Sequence, residues 1–147
     1  MTIYFYAQTD AYSEFSNFAP YGVAMDGVWW PTVEHYFQAQ KFGDSGYAEK
    51  IRKANKPKDA KALGMTRALP VRPDWEDIKD AIMLDAVEVK FRTHEVPRDL
   101  LLGTGNQQIV ENAPMDAYWG CGPDGQGLNK LGKILMVVRD RLREKIP

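Results

Sequence analysis

Trp30-Pro31-Thr32-Val33-Glu34-His35-Tyr36-Phe37-Gln38-Ala39-Gln40-Lys41-Phe42 is the stretch on which the fold turns. Thr32 stands where a helix N-cap belongs, Pro31 precedes it, and residues from about 33 to 42 read as the helix that follows. Just upstream, Val23, Met25 and Val28-Trp29-Trp30 flank Asp26-Gly27, a dipeptide that favours a tight hairpin turn. Residues 22–30 therefore read as β-structure, placed to pair with a short β-prone segment over residues 3–6.

Working outward, a second helix is predicted over 45–54 and a short one over 58–64, ending at Gly64. The longest helix is predicted over 75–94, with Asp74 as its N-cap, Asp77 three residues on, and an apolar stripe through Ile78, Ile82 and Val89. Pro97 ends that region, and 98–103 reads as a further helical turn or two. Residues 108–111 suit a strand, and 112–128 form a Gly- and Asp-rich loop. An amphipathic helix over 129–143 follows, with Leu131, Ile134, Leu135, Val138 and Leu142 facing inward. With no internal repeat, low-complexity segment or linker, the expectation is one domain over residues 1–147. Its class is α+β, helix-rich with a small β-sheet.

Composition supports that reading. The 147 residues are 44% hydrophobic and 27% charged, ordinary values for a globular domain able to bury a core. Nineteen basic residues against 20 acidic ones leave a net charge of -1. That balance gives no global attraction to nucleic acid or anionic lipid, although it leaves room for a local basic pocket. Cys121 is the sole cysteine, so no internal disulfide can form, which fits a reducing compartment. The opening Met1-Thr2-Ile3-Tyr4-Phe5-Tyr6 lacks the basic start and apolar run of a secretory signal, and no apolar stretch approaches membrane-spanning length. The expected location is the cytoplasm, with no membrane partner.

Three groups of residues carry candidate chemistry. Glu34, Gln38 and Lys41 fall on one helical stripe among bulky neighbours, either a solvated charged face or the lining of a pocket. A carboxylate in apolar surroundings is suited to acid/base work. The run 116–132 is dense in glycine and leads into a helix start, where backbone N–H groups can hold a phosphate. There Asp116 suits ribose hydroxyls or water, Trp119 suits stacking on a ring, and Asn129 is a cap or a ligand contact; the plain alternative is a structural loop. Lys79 and Lys90 share a face of the long helix, as the wall of a phosphate site or as ordinary solvated lysines. Asn17 either contacts a ligand or closes a turn. His35 reads as structural, Cys121 lacks obvious partners for a nucleophile, and no Cys/His/carboxylate spacing suits a metal. The expectation is no metal and no cofactor.

Several motifs agree in order and spacing. They are Phe15-Ser16-Asn17-Phe18, the whole of 30–42, Leu63-Gly64, Lys90-Phe91, Asp116-Ala117-Tyr118-Trp119-Gly120 and Gly127-Leu128-Asn129-Lys130-Leu131-Gly132. Together they resemble the signature of the YbiA-like, or NADAR, family over about residues 3–143. The resemblance implies a YbiA-like fold and N-glycosidase chemistry. It also implies one of two substrate classes: phosphoribosylated pyrimidine intermediates of riboflavin synthesis, or ADP-ribose linked to guanine in nucleic acid. It makes Glu34 the acid/base group and sets Lys41 and Asp116 beside it as catalytic. Substrate binding falls to Asn17, Trp30, Gln38, Trp75, Lys90, Trp119, Gly120 and Asn129. Lys41 either binds phosphate or a base carbonyl, or attacks the sugar to form a transient imine, and the imine route is favoured. The expected partner is a small phosphoribosyl or ADP-ribosyl substrate, with ADP-ribosylated nucleic acid or a non-catalytic nucleotide-binding role as the alternatives. The oligomeric state is not readable.

Overall fold

A computed structural model describes residues 1–7 and 9–144. The chain runs β1 (Thr2–Phe5), a 3-10 turn (Ser13–Phe15), β2 (Val23–Met25), β3 (Val28–Trp30), α1 (Val33–Ala39), α2 (Ser45–Arg52), α3 (Pro57–Gly64), α4 (Trp75–Thr93), α5 (Glu95–Gly103), β4 (Gln108–Glu111) and α6 (Lys130–Glu144). This is the helix-rich α+β architecture expected, with its strands in two small sheets. The chain falls into two compact units: residues 1–19 with 91–147, and residues 20–90. No helix among the described residues is long and apolar enough to cross a membrane.

In the unit formed by the two ends of the chain, β1 pairs parallel with β4, Ile3 lying beside Ile109 and Phe5 beside Glu111. This corrects the expected pairing of the N-terminal strand with residues 22–30. Alternation in β1 marks which face is buried but not which strand it meets, and its partner lies near the far end of the sequence. Phe5 meets Phe15 edge-on at 5.8 Å, and Phe15 stacks at a tilt on Phe91 at 5.9 Å. α6 packs along β4 and α5, burying Leu131, Leu135, Val138 and Leu142. Burying each contributes about 1.5–3 kcal/mol. Ile134, expected inside, is partly exposed. Arg139 ties α6 to the end of α5 by donating to Thr104 Oγ1 and the Gln107 carbonyl, both at 2.9 Å. Pro97 does not end a helical region as expected. It sits in the first turn of α5, where its missing N–H removes no helical hydrogen bond.

In the unit of residues 20–90, β2 and β3 form the expected hairpin, Val23 opposite Trp30 and Met25 opposite Val28. Asp26 (φ 52°) and Gly27 (φ 78°) are both left-handed, the geometry of a type I′ turn. The hairpin feeds α1, whose seven residues are all buried beneath α2 and α3. Thr32 caps α1 as predicted, its Oγ1 accepting from the His35 N–H at 3.1 Å. The same hydroxyl bonds the His35 Nδ1 at 2.8 Å, and the His35 Nε2 lies 2.9 Å from the Ala54 carbonyl. A carbonyl can only accept, so Nε2 carries the ring proton and Nδ1 accepts from Thr32. His35 is thus a structural pin between α1 and the end of α2. Thr32→Ala removes both bonds and is expected to cost about 1–2 kcal/mol in a denaturant-unfolding comparison.

The α-helix α1 stops at Ala39, short of the predicted limit. The next two amides, of Lys41 and Phe42, reach back three residues to Gln38 and Ala39 at 3.3 Å. In such a 3-10 turn, residues three apart eclipse, so Lys41 stays on the stripe of Gln38. At the start of α4 the Asp74 carbonyl accepts from Asp77 and Ile78. The Asp74 carboxylate, expected as a cap, holds the Arg72 guanidinium at 2.7 and 3.1 Å.

Candidate active site

The stripe of α1 is the core of the candidate site. Glu34 is 7% exposed and Gln38 5%, so the solvated-face alternative does not hold. Gln38 Nε2 donates to Glu34 Oε2 at 2.7 Å. One residue pair further along, Lys41 Nζ donates to the Gly64 carbonyl at the C-terminus of α3, at 3.3 Å. Burial pushes the Lys41 ammonium below the ordinary lysine value. The Glu34 carboxylate opposes that shift, while the charges of Lys61 and Lys79 reinforce it. A buried carboxylate and an amine of reduced basicity thus share one short segment, which is the equipment for moving a proton and for nucleophilic attack.

Aromatic rings pack against residues of α1. Trp30 meets Tyr36 edge-on at 5.5 Å, and Phe37 meets Trp75 at 5.0 Å. The Tyr36 phenol is held above the ordinary tyrosine range, chiefly by burial, with Asp26 and Asp85 adding to it. Among the described residues, the buried Trp30 indole N–H and the Gln38 Oε1 meet no hydrogen-bond partner. Lys90 is 1% exposed with its Nζ 6.0 Å from the centre of the Tyr21 ring, so it is no solvated surface lysine. Lys79 bonds Glu76 at 2.7 Å.

Sequence reasoning overlooked Tyr47 and the packing role of Gly64. The Tyr47 hydroxyl donates to the Leu63 carbonyl, beside the Gly64 carbonyl that receives Lys41. A side chain on Gly64 would collide with the Gln38 amide. The signal available was the glycine at a helix end, which reads equally as an ordinary C-cap.

The other unit holds the remaining candidates. Asp116 Oδ1 accepts from the amides of Tyr118 at 3.0 Å and Trp119 at 2.9 Å, closing the turn that presents Trp119 edge-on to Tyr118 at 4.9 Å. Asn129 is left-handed, φ 51°, and its side chain clips onto the edge of β4. Its Oδ1 accepts from the Glu111 amide at 3.0 Å and its Nδ2 donates to the Ile109 carbonyl at 2.9 Å. These bonds describe a structural anchor. The amides of Gly127, Leu128, Asn129, Lys130 and Leu131 all donate to loop carbonyls between Ala117 and Cys121. The donors that a phosphate cradle at this helix start would need are therefore taken up within the loop. Gly120 is required by packing, since a Cβ there would lie 2.9 Å from Ala113 and from the Asp116 and Glu111 carbonyls. Asn17 is buried, and beside it the Ser16 hydroxyl accepts from the Phe18 amide at 3.1 Å. Cys121 is buried with its thiol 3.3 Å from Asn112 Oδ1.

Comparison with known proteins gives this arrangement its class. The NADAR domain family matches residues 4–143. N-glycosidase YbiA of Escherichia coli K12 is 46% identical over 140 residues, covering 95% of this chain and 88% of that one. An N-glycosidase of Nostoc punctiforme is 47% identical over 146 residues, covering 97% of this chain and 94% of its own. A riboflavin biosynthesis protein of Vibrio vulnificus is 39% identical over 145 residues, 99% of this chain but 40% of that longer protein. The NMR structure of the Escherichia coli YbiA protein superposes with a TM-score of 0.90 at 45% identity, covering 98% of this chain and 86% of that one. The chain belongs to the NADAR family, has the YbiA fold, and is a hydrolase acting on N-glycosyl compounds.

Proposed function

We propose that the bond broken joins a pyrimidine to ribose 5-phosphate, in the phosphoribosylated intermediates of riboflavin synthesis. The carrying observation is the buried Glu34 carboxylate on the same stripe as an amine whose basicity burial has reduced. The neutral Lys41 amine attacks the anomeric carbon as the bond to the base breaks. Glu34 takes the proton that the amine loses and passes it to the departing base. The sugar ring then opens: its oxygen leaves the anomeric carbon and takes a proton from water, and the nitrogen lone pair completes a protonated imine on Lys41. Water adds to the imine carbon, and the carbon–nitrogen bond breaks to free ribose 5-phosphate and restore the amine.

The substrate class is supported by relatives in Vibrio vulnificus and Zea mays, both 39% identical, whose names place them in riboflavin biosynthesis. The net charge of -1 also disfavours avid binding to long nucleic acid. Incubation with both substrate types separates the readings. Ribose 5-phosphate is expected from the phosphoribosylated pyrimidine, with little ADP-ribose from an oligonucleotide bearing ADP-ribosyl-guanine. Rapid ADP-ribose release without ribose 5-phosphate would transfer the assignment to the nucleic-acid substrate.

A further inference from the structure

Resting on Glu34 as the acid/base group, we infer that Gln38 is a positioning residue that sets the charge state in which Glu34 enters the reaction, held in place by the bare backbone of Gly64. The Gln38 amide has two chemically opposite ends. Its nitrogen end donates to Glu34 Oε2 at 2.7 Å. An ionised carboxylate only accepts, so this orientation favours the charged form and opposes the effect of burial. Its oxygen end is buried and receives no hydrogen bond among the described residues. An amide leaves its acceptor end unsatisfied at a cost. The arrangement persists because the nitrogen is needed at the carboxylate.

Gly64 accounts for the amide's fixed place. A Cβ there would overlap Gln38 Oε1, and would lie 2.7 Å from Cδ and 2.9 Å from Cβ. The same glycine offers its carbonyl to Lys41 Nζ at 3.3 Å. The end of α3 therefore registers the carboxylate, through Gln38, and the amine directly. The charged groups that act on Lys41 are Glu34, Lys61 from α3 and Lys79 from α4. Tyr47 from α2 is occupied with the Leu63 carbonyl. From β3, packed against the start of α1, no titratable side chain comes. Gln38 brings a neutral donor to Glu34. It makes Glu34 a base at the outset, ready to take the proton from the amine.

The test is the titration of the Glu34 side-chain carboxyl carbon, followed by NMR in the parent chain and in Gln38→Met, which keeps the volume and removes the donor. The midpoint is expected to move up by about one to two pH units, the worth of a hydrogen bond to a charged group. Gly64→Ala, which displaces the amide without removing it, should move the same midpoint in the same direction. If Gln38→Met folds poorly, this second variant decides. An unmoved midpoint in the folded variant, or a raised KM with the midpoint in place, overturns the inference. Turnover surviving in Glu34→Gln would instead bring down the acid/base reading itself.

Discussion

Glu34→Gln is expected to reduce turnover by about 10²- to 10⁴-fold, the usual contribution of a positioned proton-transfer group, while ligand binding survives. The substitution keeps the shape of a side chain that is 7% exposed and packed among α1, α2 and α3, so the fold should persist. What disappears is the ability to take and return a proton. Gln38 Nε2 would still find an oxygen acceptor, the amide carbonyl of the new side chain. Calorimetric titration with the phosphoribosylated substrate should give an affinity within a few-fold of the parent, next to a near-complete loss of ribose 5-phosphate release. Parallel losses of binding and turnover would point to a carboxylate that holds substrate rather than one that moves protons.

Lys41→Met should cost at least as much, and it carries a chemical signature. With borohydride present during turnover, the parent chain should acquire a stable adduct at Lys41, whereas the methionine variant should acquire none. An intact rate with no adduct in the parent would remove the imine and leave Lys41 as a binding group. The pH dependence has a definite sign. Burial lowers the Lys41 pKa, so the neutral, attacking fraction grows as pH rises through that lowered value. The rate of adduct formation should climb with pH and level off below the ordinary lysine pKa. Removing the Glu34 charge takes away the influence that opposes the shift, so in Glu34→Gln the residual trapping should level off at lower pH still.

The parts of the fold that the sequence disclosed are those set by neighbours in the chain. Asp26-Gly27 supplies the two left-handed residues of its hairpin, and Thr32 caps α1 three residues before the amide it accepts. The β1–β4 pairing escaped because its partners lie at opposite ends of the sequence, and nothing in Thr2–Phe5 names Gln108–Glu111. In the site, spacing alone put Glu34, Gln38 and Lys41 on a stripe, and only the packing of α2 and α3 showed that the stripe is enclosed. Lys90 is the sharper lesson. A lysine on a long helix is ordinarily solvated, and burial beside Tyr21 is a tertiary fact without a local signature. Asn129 was open between cap and ligand contact because an Asn before a helix suits either, and the two bonds to β4 appear only once the strand is beside it.

The parallel partnership of Thr2–Phe5 with Gln108–Glu111 also sets an order of events during synthesis. The first strand leaves the ribosome with its ladder groups unmatched and stays so until most of the chain has been translated. The hairpin and α1, by contrast, are complete within a contiguous stretch made early. Thr2–Phe5 thus wait longer for their partner than either strand of the hairpin, and in a nascent chain they are exposed for that time to wrong strand partners and to chaperones.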